Sequence, residues 1–143
     1  MEPMRLASVI DGEVVDAGGA GYTSRNPSRL DEPVARVALA DAETLRGATE
    51  SARRAQPGWA DVPAPVRGRV IASLGRLVEA NKETLSQLVV REIGKPVAEA
   101  RGEVQEIIDT CDFFLGEGRR LYGQTVPSEM PDKQLFTFRV PVG

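Results

Sequence analysis

The sequence predicts a mixed α/β fold in which short strands come first, three to four helices follow, and a β-hairpin closes the chain. Three observations support this prediction. Residues 1–40 combine short β-like runs with glycine and proline turns, residues 41–123 carry apolar side chains at helical spacing, and residues 124–143 return to β-like runs. The 143 residues are enough for one domain, and we divide the chain at these two changes of pattern.

The first forty residues predict three strands, at residues 7–10, 14–15 and 33–39. Asp11-Gly12 separates the first two, and this pair favours the tight turn of a β-hairpin. The glycine-rich residues 17–21 then interrupt the pattern, and Asn26-Pro27 starts another turn. We therefore expect a small β region before the helices.

The first two helices are predicted from their ends. Asp41 is a favourable N-cap, and Pro57-Gly58 is expected to end the first helix, after which Trp59 enters the adjoining core. Pro63 can begin the second helix because proline is tolerated near a helix start, and Asn81 is expected to interrupt it. The predicted buried face of this helix is its apolar series, Val66, Val70, Leu74, Leu77 and Val78.

The later helices carry the strongest periodicity. Apolar residues from Leu85 to Ile93 form one face, and Gly94 suits a left-handed C-terminal cap. The longest helix is predicted from Glu99 to Tyr122, about 36 Å in length, with Gly123 ending it. Its predicted buried stripe is Val97, Ala100, Val104, Ile107, Cys111, Phe114, Gly118 and Leu121.

The closing hairpin is predicted from strands at 124–126 and 135–140, joined by a turn over 127–133. The outer strand of such a hairpin carries unpaired backbone groups, and such an edge invites pairing with another strand.

Composition excludes several classes of function. A net charge of −3 does not suit a nucleic-acid partner. One cysteine permits no internal disulfide, and the absence of histidine removes the commonest general base and a common metal ligand. No run approaches the roughly 20 apolar residues of a membrane span, and the N-terminus lacks the apolar stretch of a signal peptide. We therefore expect no bound metal, no nucleic acid, no membrane and a cytoplasmic location.

Two motifs suggest cofactor or nucleophile chemistry, but a structural interpretation is stronger for both. Gly19-x-Gly21-x-x-Ser24 resembles a dinucleotide-binding loop, yet Asn26-Pro27 prevents the helix that must follow such a loop. Cys111 lies on the apolar stripe of the long helix, where cysteine acts as a small hydrophobic side chain.

For the charged candidates, too, a structural or solvated role is the stronger interpretation. Lys95 lies between a glycine cap and Pro96, which favours a structural or solvated role over Schiff-base chemistry. Four acids are spaced three or four residues apart, which is typical of a solvated helix face rather than of an acid–base pair: Glu99, Glu103, Glu106 and Asp109.

Several motifs in order along the chain resemble the aldehyde dehydrogenase superfamily. They run from about residue 8 to the last residue and include Asn26-Pro27, Trp59, Glu92-Ile93-Gly94-Lys95-Pro96, Glu99 to Val104, Leu121-Tyr122-Gly123 through Pro127, and Arg139 to Gly143. Within the family, residues 102–112 are most similar to the aminoadipic-semialdehyde dehydrogenase branch, and the succinate-semialdehyde and broad-range branches remain open. The resemblance implies that the chain is an incomplete, N-terminal piece of that fold.

In a complete enzyme, the resemblance implies that a cysteine thiolate attacks an aldehyde, hydride passes to NAD or NADP, and a carboxylic acid is released. The cofactor-binding motif, the glutamate and the nucleophilic cysteine of the family all belong after Gly143, so no catalytic or cofactor-binding residue carries over. No cofactor is expected to bind this chain alone. Residues 41–123 resemble the helical scaffold of the cofactor domain, in which Glu106 and Thr110 would line the substrate tunnel. Residues 124–143 resemble the oligomerisation arm of a homo-oligomer.

Two hypotheses of different classes follow. In the first, the chain is the N-terminal fragment of an NAD(P)-dependent aldehyde dehydrogenase and is not active by itself. In the second, it is a non-catalytic interaction module that pairs through its terminal hairpin with a full-length homologue. Independent catalysis by Lys95 or the helix carboxylates is a third and weaker possibility. For the isolated chain we also expect poor stability, because the apolar stripe of the long helix would lack a partner.

Overall fold

A computed structural model describes residues 2–15 and 20–142 and confirms the mixed α/β class. Within these ranges the elements are β1 (Met4–Leu6), β2 (Ser8–Ile10), β3 (Glu13–Val15), β4 (Gly21–Asn26), β5 (Arg29–Ala38), α1 (Ala42–Asp61), α2 (Ala64–Ala80), α3 (Lys82–Ile93), α4 (Val97–Glu117), β6 (Thr125–Val126) and β7 (Leu135–Phe136).

The N-terminal strands form two separate sheets. β2 and β3 make the predicted hairpin, with Asp11 at φ 54° and Gly12 at φ 79°, and positive φ at both central residues is what a tight hairpin turn requires. The other sheet has the order β1-β5-β4, in which β1 runs parallel to β5 and β4 antiparallel.

The prediction missed β1 and β4. The sequence pattern places Gly21 in the glycine-rich break and Asn26 in a turn and gives residues 22–25 no element, but these include Tyr22 and Thr23, which favour strands. β5 also begins at Arg29, earlier than predicted, and Asn26 pairs with Arg29 across the turn. A pairing partner only three residues away is enough to extend both strands.

Helix α1 begins as predicted, because the Oδ1 atom of Asp41 accepts the backbone N–H of Thr44 at 2.8 Å. Its predicted end at Pro57 is wrong, since the helix continues to Asp61. The Nη1 atom of Arg67 lies 3.1 Å from the carbonyl oxygen of Ala60 and 2.5 Å from that of Val62. We attribute the extra turn to these bonds. Trp59 therefore lies in this last turn and is 46 % exposed, so it does not enter a core.

Helices α2 and α4 pack through small residues, which corrects the predicted face of α2. Gly68, Ala72 and Gly75 are buried, and a Cβ atom built on Gly75 would lie 2.8 Å from the Cβ atom of Cys111. At Gly75 the helices approach so closely that a larger side chain on α2 would clash with α4. The larger apolar residues on the predicted face are exposed instead: Val66, Val70, Leu74 and Leu77.

Helix α4 starts earlier and ends earlier than the predicted Glu99 to Tyr122. Gly116 and Gly118 stand close together at its end, and glycine is a poor helix former. Gly123 instead lies at the base of the hairpin, where a Cβ atom would overlap the carbonyl oxygen of Thr137.

The buried face of α4 is also offset from the predicted stripe. Ile107 is 47 % exposed and Phe114 is also exposed, whereas Ile108 is buried. The buried positions are Ala100, Val104, Ile108 and Cys111.

The predicted boundary at Asn81, the cap at Gly94 and the terminal hairpin are confirmed, although the last strand is shorter than predicted. Asn81 separates α2 from α3, and Gly94 caps α3 at φ 77° with its N–H donating to the Val90 carbonyl at 2.9 Å. The terminal hairpin forms, but β7 covers only Leu135–Phe136 rather than 135–140.

Candidate functional site

Two of the motif segments identified in the sequence lie against each other in the fold. Gly94, which follows α3, faces the turn between β4 and β5. A Cβ atom at Gly94 would lie 2.7 Å from the Cγ atom of Pro27 and 3.2 Å from the Oγ atom of Ser28. Gly94 is therefore required both by its left-handed conformation and by this close approach.

A polar cluster connects the same two segments. The Nδ2 atom of Asn26 donates to one oxygen of Glu32 at 3.1 Å, and the Nε atom of Arg91 donates to the other at 2.9 Å. Ser24 donates to the Oε1 atom of Glu92 at 3.3 Å. Ser24 and Asn26 are both buried, so these bonds satisfy polar groups away from water and join the sheet to α3.

The electrostatics of this polar cluster indicate a structural role. Hydrogen bonding from Arg91, and then from Asn26, lowers the pKa of Glu32 below its usual value. Because both carboxylate oxygens already accept bonds, Glu32 is poorly placed to exchange a proton with a substrate near neutral pH. The polar cluster therefore fixes the position of the motif segments and supplies no acid–base pair.

The sequence identified both segments but did not predict their contact. The available signal is the position of Gly94 between the end of a periodic segment and Pro96, which indicates a cap. Nothing local in the sequence indicates that Pro27 occupies the space beside it.

Most of the charged candidates are engaged in ordinary surface pairs. Lys95 is partly buried and forms an ion pair with Glu103, in agreement with a structural role. Asp109 accepts a hydrogen bond from the Nε2 atom of Gln105 at 2.8 Å, and Glu99 is exposed. Within residues 2–15 and 20–142, no group of three or more carboxylate, cysteine or histidine side chains is arranged to hold a metal ion.

Cys111 is buried against Gly75, as the prediction of a core residue requires. For the glycine motif, Gly19 lies outside the described residues, and Gly21 to Ser24 form part of β4. β4 leads through a turn into β5, so the strand–loop–helix arrangement of a dinucleotide site is not formed there.

Glu106 and Thr110 lie together on the face of α4 away from α2. They line a shallow surface depression of about 350 Å³ with Asp109 and Phe113. Two carboxylates, a hydroxyl and an aromatic ring thus share one exposed surface.

A second depression is mainly apolar and lies where α1, α2 and α4 meet. It has a volume of about 440 Å³, and we call it the apolar cleft. Its largest apolar lining residues are Trp59, Ile71, Phe113, Phe114 and Leu121.

None of the helices within the described ranges is both long and apolar enough to cross a membrane.

Comparison with known proteins accounts for the motif segments. The sequence profile of the aldehyde dehydrogenase family matches residues 14–143. The chain belongs to the aldehyde dehydrogenase family. This confirms the family resemblance of the sequence motifs.

The aldehyde dehydrogenases to which this chain is similar are much longer than it is. Alpha-aminoadipic semialdehyde dehydrogenase from Bos taurus is 42 % identical over 128 residues, which cover 88 % of this chain and 24 % of that protein. The structure of lactaldehyde dehydrogenase from Escherichia coli has a TM-score of 0.89 at 29 % identity, over 96 % of this chain and 29 % of that one. A putative methylmalonate-semialdehyde dehydrogenase from Sinorhizobium meliloti 1021, complexed with NAD, has a TM-score of 0.88 at 30 % identity, over 99 % of this chain and 29 % of that one. The chain therefore spans about a quarter of the length of these aldehyde dehydrogenases.

Proposed function

We propose that this chain is the N-terminal portion of an NAD(P)-dependent aldehyde dehydrogenase, which oxidises an aldehyde to a carboxylic acid when complete, and that the 143 residues alone are inactive. The observation that carries the proposal is the extent of the match, which covers 88 % or more of this chain but only 24–29 % of its relatives.

The chemistry of the residues supports inactivity. The family reaction begins with a cysteine thiolate, and the only cysteine in the sequence is Cys111. It is 5 % exposed and faces the backbone of Gly75. An aldehyde cannot reach a thiol in that position, and no histidine is present to activate it.

The direct test is to extend the reading frame beyond codon 143 and to compare both products. We expect the purified 143-residue chain to show no oxidation of a panel of aldehydes with NAD or NADP, and an extended product containing the family cysteine to be active. Turnover by the 143-residue chain would overturn the proposal of inactivity. An extended gene without aldehyde dehydrogenase sequence would overturn the proposal of a longer enzyme.

We further propose that Glu106 and Thr110 line the entrance to the substrate tunnel of the complete enzyme. Their depression also contains Asp109, so its charge disfavours anionic aldehydes and favours those with a cationic amino group. In the complete enzyme, Glu106→Gln should lower kcat/KM for an amino-bearing aldehyde by about fivefold, the size of one surface charge interaction. A neutral aldehyde should be unaffected. Glu99→Gln is the matched control on the same helix, and an equal loss for both aldehydes would argue against the assignment.

The remaining assignments follow from the same proposal. Residues 41–123 would form the helical scaffold of the cofactor domain, and residues 124–143 would form part of an arm that assembles a homo-oligomer. The apolar cleft would be covered by the rest of the enzyme. A single cysteine and no disulfide fit a cytoplasmic location.

A second candidate function uses the terminal hairpin. Among the described strands, β6 and β7 pair only with each other, and Phe138, just beyond β7, is 81 % exposed. We propose as the alternative that this edge pairs with a full-length homologue. Co-purification with such a homologue, lost in Phe138→Asp, would support the alternative. Independent elution of the two proteins on size exclusion would count against it.

A further inference from the structure

The hairpin turn at Asp11-Gly12 has an unusual backbone. Within residues 2–15 and 20–142, Asp11 is the one non-glycine residue with positive φ, at 54°. Gly12 follows at φ 79°, and nothing lies within 4 Å of the position that a Cβ atom would occupy there. No neighbouring group therefore shields this side of the Gly12 backbone.

Helix α1 binds the side chain of Asp11. The Oγ atom of Ser51 donates to Oδ1 at 2.7 Å, and the Nη2 atom of Arg54 lies 3.4 Å from Oδ2. Ser51 is buried, so its hydroxyl depends on Asp11 for this bond. Both carboxylate oxygens of Asp11 are thus engaged by one helix, and this contact ties the β2–β3 hairpin to α1.

We propose that Asp11-Gly12 is a site of isoaspartate formation, and that the contact with Ser51 and Arg54 controls its rate. The backbone nitrogen of Gly12 attacks the Cγ atom of Asp11, an N–C bond forms, and one water molecule leaves to give a five-membered succinimide. Water then opens the ring. Cleavage at the Cγ carbonyl restores aspartate, and cleavage at the main-chain carbonyl gives isoaspartate. The overall change needs no oxidant, reductant or enzyme.

The contact opposes the first step, because ring closure expels one carboxylate oxygen as water and so removes an atom bound by Ser51 or Arg54. Modification is therefore fastest in molecules in which the Asp11 side chain has separated from α1. In the isoaspartate product, the main chain passes through the Cβ and Cγ atoms of residue 11 and is one atom longer. This product can therefore restore neither the turn nor the bond to Ser51.

The sequence supplies internal controls. Asp11-Gly12 is the single place where an aspartate or asparagine precedes glycine. Asp31, Asp41 and the other aspartates precede bulkier residues, which hinder attack by the following nitrogen. Isoaspartate should therefore accumulate at residue 11 and not at these positions.

The test is to incubate the purified chain at neutral pH in water labelled with heavy oxygen and to analyse tryptic peptides by mass spectrometry and isoaspartyl methyltransferase assay. We expect isoaspartate and one heavy oxygen atom at residue 11. Ser51→Ala should accelerate the reaction about fivefold, since losing one hydrogen bond raises the released fraction by about that factor. Thr49→Ala removes a hydroxyl bonded to Leu45 on the same helix and should leave the rate unchanged.

A sample unfolded in urea lacks the contact of Asp11 with Ser51 and Arg54, so isoaspartate should form fastest in that sample. The proposal is overturned if residue 11 stays unmodified in the unfolded chain. It is equally overturned if the native chain, Ser51→Ala and the unfolded chain all react at one rate, because the contact with α1 would then have no effect.

Discussion

Gly75 faces Cys111 across the interface between α2 and α4, and the side chain of Cys111 lies directly against the Gly75 backbone. Gly75→Ala would bring a Cβ atom to 2.8 Å from that of Cys111, so one helix must move. We expect a loss of about 1–3 kcal/mol in the free energy of unfolding, the usual cost of overpacking. Urea denaturation of the two proteins would measure it.

Gly102→Ala is the matched control for this substitution. Gly102 is also helical, but nothing lies within 4 Å of its Cβ position. The alanine should stabilise the chain by about 0.4–1 kcal/mol through reduced freedom of the unfolded state. Equal effects of the two substitutions would show that α2 and α4 are not in close contact.

At the residue scale, the sequence predicts conformation better than contact. Gly94 was predicted to be a left-handed cap because a proline and the end of a periodic segment surround it. Its contact with Pro27 depends on how β4 lies against α3, which no local pattern encodes. The sequence likewise predicts that Cys111 is buried, but it does not predict that Gly75 of α2 packs closely against it.

Among the elements, the junction of α1 and α2 depends on one side chain. Arg67 donates to the carbonyl oxygens of Ala60 and Val62, which lie at the end of α1 without helical partners. Arg67→Ala should cost about 1–3 kcal/mol, because bonds from a charged donor are lost. Hydrogen exchange should show faster opening of residues 57–61.

Arg67→Lys should recover only part of this loss, since the bonds come from the terminal Nη1 atom and the lysine ammonium is carried on a stem of different length and shape. Arg69→Ala removes an exposed arginine from the same helix and should have little effect. If all three variants unfold alike, the bonds of Arg67 do not stabilise the end of α1.

The pairing of α3 with α4 should depend on pH. Arg101 donates to both oxygens of Glu83, and these bonds, followed by that from Gln87, lower the pKa of Glu83 to about 2. A lowered pKa stabilises the folded chain above the unfolded value of 4.5, and the effect disappears as the pH falls from there through about 2. The difference in stability between the native chain and Glu83→Gln should therefore be constant near neutral pH and shrink over this range.

Glu99→Gln is the control, since it removes an exposed carboxylate from α4 without touching Arg101. The same decline in both variants would assign the pH dependence to overall charge rather than to this pair. An NMR titration of Glu83 would give its pKa directly.

Hydrophobic periodicity predicted that α2 is a helix but not which face it buries. Val66, Val70, Leu74 and Leu77 form the stronger apolar stripe, yet the small residues on another face pack against α4. A helix can pack against neighbours on more than one side, and the hydrophobic pattern does not indicate which of its faces packs against α4. The end of α1 was mispredicted for a related reason, because the residue that caps it lies on the next helix.

For the whole molecule, the exposed α2 stripe predicts the behaviour of the isolated chain. Leu74→Gln together with Leu77→Gln should raise solubility and reduce binding of a hydrophobic dye, with stability changed by less than about 0.5 kcal/mol. Ala72→Gln, on the buried face of the same helix, should destabilise by about 2 kcal/mol or more. A large loss of stability in the double variant would show that the stripe is already covered in this chain.

The fold class, a set of three to four helices and the family are all predicted from the sequence, since they rest on element order and on motifs along the chain. The polar cluster around Glu32 was not, because its members come from β4, β5 and α3 and are separated by up to 68 residues. Composition excludes some classes of function, but it does not predict that these side chains lie close together in the fold.

The close contact of α2 with α4 also bears on synthesis. Both helices lie within the first 117 residues, and their interface is made of backbone and small side chains that are complete once α4 has left the ribosome. This layer can therefore form before translation of the chain ends. The leucines and valines that α2 leaves exposed then form the kind of surface that holdase chaperones bind.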